Sequence, residues 1–215
     1  MRLVCAALLG LAAGACAGDA PGRSDAGAAG RSSALAARAA QRCDASDVSM
    51  TVDSAGIGPA LVGSRVATVS ARCQVRDTSL VLSEGMAERA HELTAGGHRI
   101  TVLSTGTPDT SVIRAITTDP AFKTPGGVGV GSSVEALRLA HGPLCAARGE
   151  GNFVVTASRL PGVSFAIDWS PPATLEPSAA ETPFPGGDPG TALDAARITR
   201  LWVHGVAGGC RVGNG

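Results

Sequence analysis

The 215-residue chain has no tyrosine, a single lysine (Lys123) against seventeen arginines, and only 3% aromatic residues. Its formal net charge is zero and only 17% of it is charged. A near-neutral chain without clustered basic residues offers no patch for nucleic acid. Arginine in place of lysine, with abundant alanine and glycine, is what a GC-rich genome writes, so it carries no functional information. The aromatics Phe122, Phe153, Phe165, Trp169, Phe184 and Trp202 all follow residue 120. The second half is therefore expected to own the larger core, and the first to pack with small aliphatic side chains. Catalytic signatures are missing too: there is no Gly-x-Ser-x-Gly and no Ser-x-x-Lys. Without Cys-x-x-Cys, and with His91, His98, His141 and His204 scattered, no metal-ligand spacing exists, although His91 and His98 can face each other across a hairpin beside Glu92. The glycine run at 126–131 lacks the Lys-Ser/Thr ending of a phosphate loop. No catalytic residue, cofactor or metal is expected, and Asp77, Glu84, Glu88 and Glu92 read as solvated.

Long apolar runs are also absent. Residues 3–11 form an apolar stretch after Arg2, too short to span a bilayer, and Ala13-Gly14-Ala15 precede Cys16. This is an export signal. Small residues directly before a cysteine resemble the lipobox of bacterial lipoproteins, with Ala13 where leucine is usual. The resemblance implies that residues 1–15 are cleaved and that Cys16 is lipidated, anchoring the protein to a membrane; Ala17 after it points to the outer membrane, facing the periplasm. Ala13-Gly14-Ala15 also fits an ordinary signal-peptidase site, which leaves a soluble periplasmic or secreted product as the alternative. Residues 16–42 hold little that can bury apolar surface and read as a flexible, disordered tether, with a marginal helix possible over 33–42.

The chain centres on residues 126–145. Glycines 126, 127, 129 and 131 lead to Ser132 and, three residues on, Glu135, the spacing of a capping box. Val134, Leu137 and His141 then share a helix face, and Gly142-Pro143 ends it. An earlier stretch, 63–73, repeats the pattern, with Ser64 as cap and Val66 and Val69 as apolar positions. Each half then closes on an apolar strand carrying one arginine, Arg114 or Arg200. The order of glycines, capped helix, cysteine, hairpin and arginine strand in both halves points to an internal duplication. Arg114 and Arg200 are candidate contacts for a ligand's carboxylates; the ordinary alternative is that their stems pack over the sheet.

Outside the signal and Cys16, four cysteines remain: Cys43, Cys73, Cys145 and Cys210. An even count in an exported chain predicts disulfides. Three connectivities are possible, and Cys43 with Cys73 and Cys145 with Cys210 would staple each repeat separately. Strands are expected at 48–52, 87–93, 98–103, 152–158, 163–169 and 197–204, with hairpins at Gly96-Gly97 and Pro161-Gly162. Residues 170–191 hold six of the 13 prolines and read as a long loop. The expected fold is α+β: two tandem repeats, 43–119 and 120–215, each a short capped helix with a mostly antiparallel sheet.

The spacing of Gly131, Ser133, Leu137 and Gly142 resembles the helix of small outer-membrane-assembly lipoproteins and of secreted β-lactamase inhibitors built from helix-plus-sheet repeats. It departs from them in having one helix per repeat and in Pro143 following the glycine. The resemblance implies a non-catalytic envelope protein that binds another protein. The competing class is a periplasmic hydrolase with an unrecognised site.

Overall fold

The computed structural model describes residues 26–81, 87–105, 110–149, 151–174, 183–184, 187–204 and 210. The signal with Cys16, the first part of the tether and much of the proline-rich loop lie outside these residues. In chain order the elements are α1 (Ala26–Ala40), β1 (Val52–Asp53), β2 (Gly56–Ile57), β3 (Ala60–Leu61), α2 (Val66–Ser70), β4 (Gln74–Val81), β5 (Ala87–Ala95), β6 (His98–Ser104), β7 (Val112–Thr117), α3 (Val134–His141), β8 (Leu144–Gly149), β9 (Asn152–Ala157), β10 (Leu160–Ile167) and β11 (Ile198–His204). The fold is mostly β with few short helices, further toward β than the expected α+β balance.

Two four-stranded antiparallel meanders, β4-β5-β6-β7 and β8-β9-β10-β11, meet at β7 and β11 in one eight-stranded sheet of order β4-β5-β6-β7-β11-β10-β9-β8. β1, β2 and β3 form a small separate sheet. Strands from 43–119 and from 120–215 therefore pair within one continuous sheet. A single core cluster takes Val66 and Val69 from α2, Val134 and Leu137 from α3, Val52, Ile57 and Ala60 from the small sheet, and the inward side chains of the large sheet. Each such fully buried aliphatic or aromatic side chain contributes about 1.5–3 kcal/mol relative to exposure.

The two halves enter the sheet in matching ways. Gly63 and Gly131 both take φ of 84°, a left-handed value that suits glycine. The Gly63 amide donates to the Val112 carbonyl and the Gly131 amide to the Ile198 carbonyl, each at 2.8 Å. Val66 donates to Thr110 at 2.9 Å, and Val134 to Ala196 at 3.0 Å.

Several expectations shift. The N-cap of α3 is Ser133, whose Oγ accepts the Ala136 amide, while the Ser132 hydroxyl accepts the Gly129 amide and closes the preceding turn. Ser64 is not the cap of α2; Arg65 holds the N-cap position, its side chain does not cap the helix, and the helix lasts five residues. Of 48–52 only Val52 joins a strand. β4 and β8 were not expected. Both are edge strands, so most of the β4 side chains are exposed and neither has a clean apolar alternation. In the tether region, the described part forms α1, the helix weighed as marginal. It starts earlier than 33, and its last turn is fixed by Arg38, which donates to the Gly58 carbonyl at 3.1 and 2.8 Å and pairs with Asp53.

Candidate functional site: the outer face of the large sheet

Side chains of a strand alternate between faces, so register partners share one. Following the partners, Arg76, Glu92, Thr101, Ile116, Trp202, Ser164, Thr156 and Cys145 form one row across all eight strands. This row lies on the face opposite the helices. Buried residues there, Ala90, Leu103, Ile116, Ala166 and Trp202, form a second cluster made of large-sheet residues alone. Among the described elements, no helix or small-sheet strand contributes to it.

Arg114 and Arg200 both lie on this face, two residues from Ile116 and Trp202 on their strands. They are not side by side. Arg114 is the register partner of His204, whereas Arg200 lies on the other side of the Ile116–Trp202 pair with its guanidinium 5.8 Å from the Trp202 ring centroid, within cation–π range. By strand geometry their Cα atoms are on the order of 14 Å apart. Toward the β4 edge, Glu92 bridges Arg76 at 3.2 Å and Arg99 at 3.7 Å. The face thus carries arginines around an apolar centre. Beside Trp202 a depression of about 270 Å³ is lined by Val154, Thr156, Ser164 and His204 among others. Trp202 is 2% exposed, and its Nε1–H has no hydrogen-bond partner.

The other face holds a constellation that sequence reading missed. The His91 Nδ1 lies 2.8 Å from Asp77 Oδ1, and its Nε2 lies 3.0 Å from the Ser104 hydroxyl. Asp77 sits on β4, an unexpected strand, so nothing in the sequence brought it to His91. The atom order matches an acid–base–nucleophile relay, but exposure runs the wrong way for acyl transfer. The Asp77 side chain is 83% exposed while Ser104 is 8% exposed, so the carboxylate faces water and the hydroxyl is shut away. The arrangement satisfies a buried imidazole and ties β4, β5 and β6 together. His98 does not face His91; its Nδ1 bonds Asp119 Oδ2 at 2.9 Å. His141 is 7% exposed and meets the Thr124 hydroxyl at 2.7 Å; burial pushes its pKa below 6.5. Among the described residues no three His, Cys, Asp or Glu side chains converge as a metal site, and no helix is long and apolar enough to cross a membrane.

Cys43 is bonded to Cys73 and Cys145 to Cys210, with Cα separations of 4.8 and 5.1 Å. Two structural disulfides place the folded part in an oxidising, extracytoplasmic compartment.

No known protein family matches the chain, and no curated protein matches it by sequence. Among solved structures it is similar to the uncharacterized protein yfeY from Escherichia coli, with a TM-score of 0.46 and 15% identity over 72% of this chain and 99% of that one.

Proposed function

We propose that the protein is an exported lipoprotein of the bacterial cell envelope, anchored through Cys16 in the outer membrane and facing the periplasm, which binds another envelope protein without catalysing a reaction. The observation that carries this is the sidedness of the large sheet. Helix and small-sheet core residues gather on one face, and the other carries arginines around a buried centre of Ile116 and Trp202, with no described helix or small-sheet strand packed on it. Arginines distributed over such a face suit a partner bearing carboxylates, with Arg114 and Arg200 as contacts on either side of the centre. The disulfides fit export, and the lipobox-like residues before Cys16 supply the anchor.

The runner-up, a periplasmic hydrolase, rests on Asp77, His91 and Ser104. Their exposure favours a structural relay, as argued above. A phosphonylating reagent directed at serine nucleophiles is expected to leave Ser104 unlabelled; stoichiometric labelling would make the hydrolase the better reading.

The matched hydrogen bonds at Gly63 and Gly131, and at Val66 and Val134, together with the mirrored strand order, support an internal duplication whose halves meet at β7 and β11. In that reading Arg114 and Arg200 are equivalent positions.

The anchor is tested by Cys16→Ser. The substituted protein is expected to leave the detergent phase on partitioning, and its retention there would contradict the anchor.

A further inference from the structure

We propose that an apolar groove between α1 and the body of the protein holds an acyl chain drawn from a bilayer lipid. α1 is 15 residues long and rich in alanine, a composition and length that are marginal for an isolated helix in water. Its last turn is pinned by Arg38, whose side chain is 12% exposed in its pair with Asp53. Pinning fixes which face looks inward. Leu35, Ala36 and Ala39, at i, i+1 and i+4, line one wall of a groove of about 880 Å³, and Leu61, Val62 and Ile113 line the other. Both walls keep apolar surface in contact with solvent: Leu35 is 41% exposed and Ile113 is 44% exposed.

The chemistry of the lining selects the occupant. Among the described residues no ionisable side chain borders the groove, and the remaining lining residues are serine, alanine, glycine and valine. Such walls have no charge with which to recognise a phosphate, a carboxylate or a charged peptide, and apart from the hydroxyls of Ser32, Ser54, Ser64 and Ser111 they reward apolar surface. The groove is open along one side, and its volume is of the order of a small-molecule site, larger than one side chain from a loop would fill.

Position supplies the source. Cys16 lies ten positions before the start of α1 at Ala26, a reach of roughly 35 Å at full extension. With a lipid on Cys16 the groove is therefore held beside the membrane, where acyl chains are at hand; this step rests on the anchor reading above. The groove also lies apart from the arginine-bearing sheet face, so occupation by lipid leaves that face available to a partner.

The test uses the full chain carrying Cys16→Ser, purified without detergent and titrated with cis-parinaric acid, whose emission rises in an apolar site. Saturable uptake of about one molecule per chain, in the micromolar range, is expected, with displacement by palmitate. Leu35→Glu and Ile113→Glu, at side chains already half exposed, are expected to weaken it at least about tenfold. Leu139→Glu, on α3 outside the groove at 76% exposed, is expected to leave it unchanged. Absence of saturable uptake overturns the proposal, as does equal weakening by all three substitutions. A dimer that Ile113→Glu dissociates, without parinarate uptake, also overturns it and assigns the groove to a second copy. If the unsubstituted chain is itself soluble, the anchor reading fails, and the same titration on that chain still reads the groove.

Discussion

Ile116 on β7 and Trp202 on β11 are register partners at the midpoint of the eight-stranded sheet, with three further strands beyond each. Their side chains are buried at the centre of the outer face, so the junction of the two meanders lies between the arginines of the proposed binding surface. Trp202 is buried there with its indole N–H unpaired. An unsatisfied buried donor costs on the order of 1–3 kcal/mol, and a phenyl ring would not carry it. Trp202→Phe is accordingly expected to destabilise by less than about 1.5 kcal/mol, against about 3–5 kcal/mol for Trp202→Ala. Urea denaturation followed by circular dichroism reads both; equal, large losses would mean that the indole N–H has a partner.

Leu137 and Leu139 are two residues apart on α3 and face opposite ways, at 0% and 76% exposed. Leu137→Ala is expected to cost about 2–5 kcal/mol and Leu139→Ala to stay within about 0.5 kcal/mol. Similar costs for the two would mean that the helix is rotated about its axis.

The disulfides close loops of 30 and 65 residues, which in the entropic treatment is worth roughly 3–4 kcal/mol each. Peptide mapping without reductant is expected to recover Cys43 with Cys73 and Cys145 with Cys210. A peptide joining Cys73 to Cys145 would contradict the sheet topology, because those cysteines lie at its opposite edges.

Acid is expected to weaken the fold in two steps. The Thr124 hydroxyl accepts the Val128 amide and lies 2.7 Å from His141 Nε2 in a buried contact. Because burial depresses the folded pKa of His141 below 6.5, its contribution is complete above that pH and is lost as pH falls through the folded value. For Asp119 burial acts to raise the pKa, but the Ala121 amide and His98 outweigh it and hold the carboxyl below 3.8. Its contribution is present above 3.8 and disappears in stronger acid. The melting temperature should therefore begin to fall as pH drops through the ordinary imidazole range, and His141→Gln should flatten that first step. An unchanged slope in the variant would assign the step to another group.

How far the fold could be read from sequence depended on burial. The face of α3 was legible because Val134, Leu137 and His141 repeat at helical spacing and all three are buried. The Gly96-Gly97 turn was legible because both residues need positive φ, 57° and 84°. β4 was not, since Arg76, Asp77, Thr78 and Ser79 are exposed along a sheet edge and show no alternation. Losing β4 also hid the contact of Asp77 with His91, which exists only once three strands lie side by side. Arg114 and Arg200 were correctly singled out as strand arginines. Their separation across Ile116 and Trp202 depended on the antiparallel β7–β11 pairing, which nothing local encodes.

The claim that a partner docks on the outer sheet face is tested most directly by site-specific photo-crosslinking in the native envelope. A photoreactive residue at Thr101, in the central row of that face, is compared with one at Leu139 on the helix side. The account predicts one discrete adduct from position 101, lost when Arg114 and Arg200 are both changed to alanine, and none from position 139. An adduct from position 139 alone, or adducts from 101 that survive the double substitution, would contradict it.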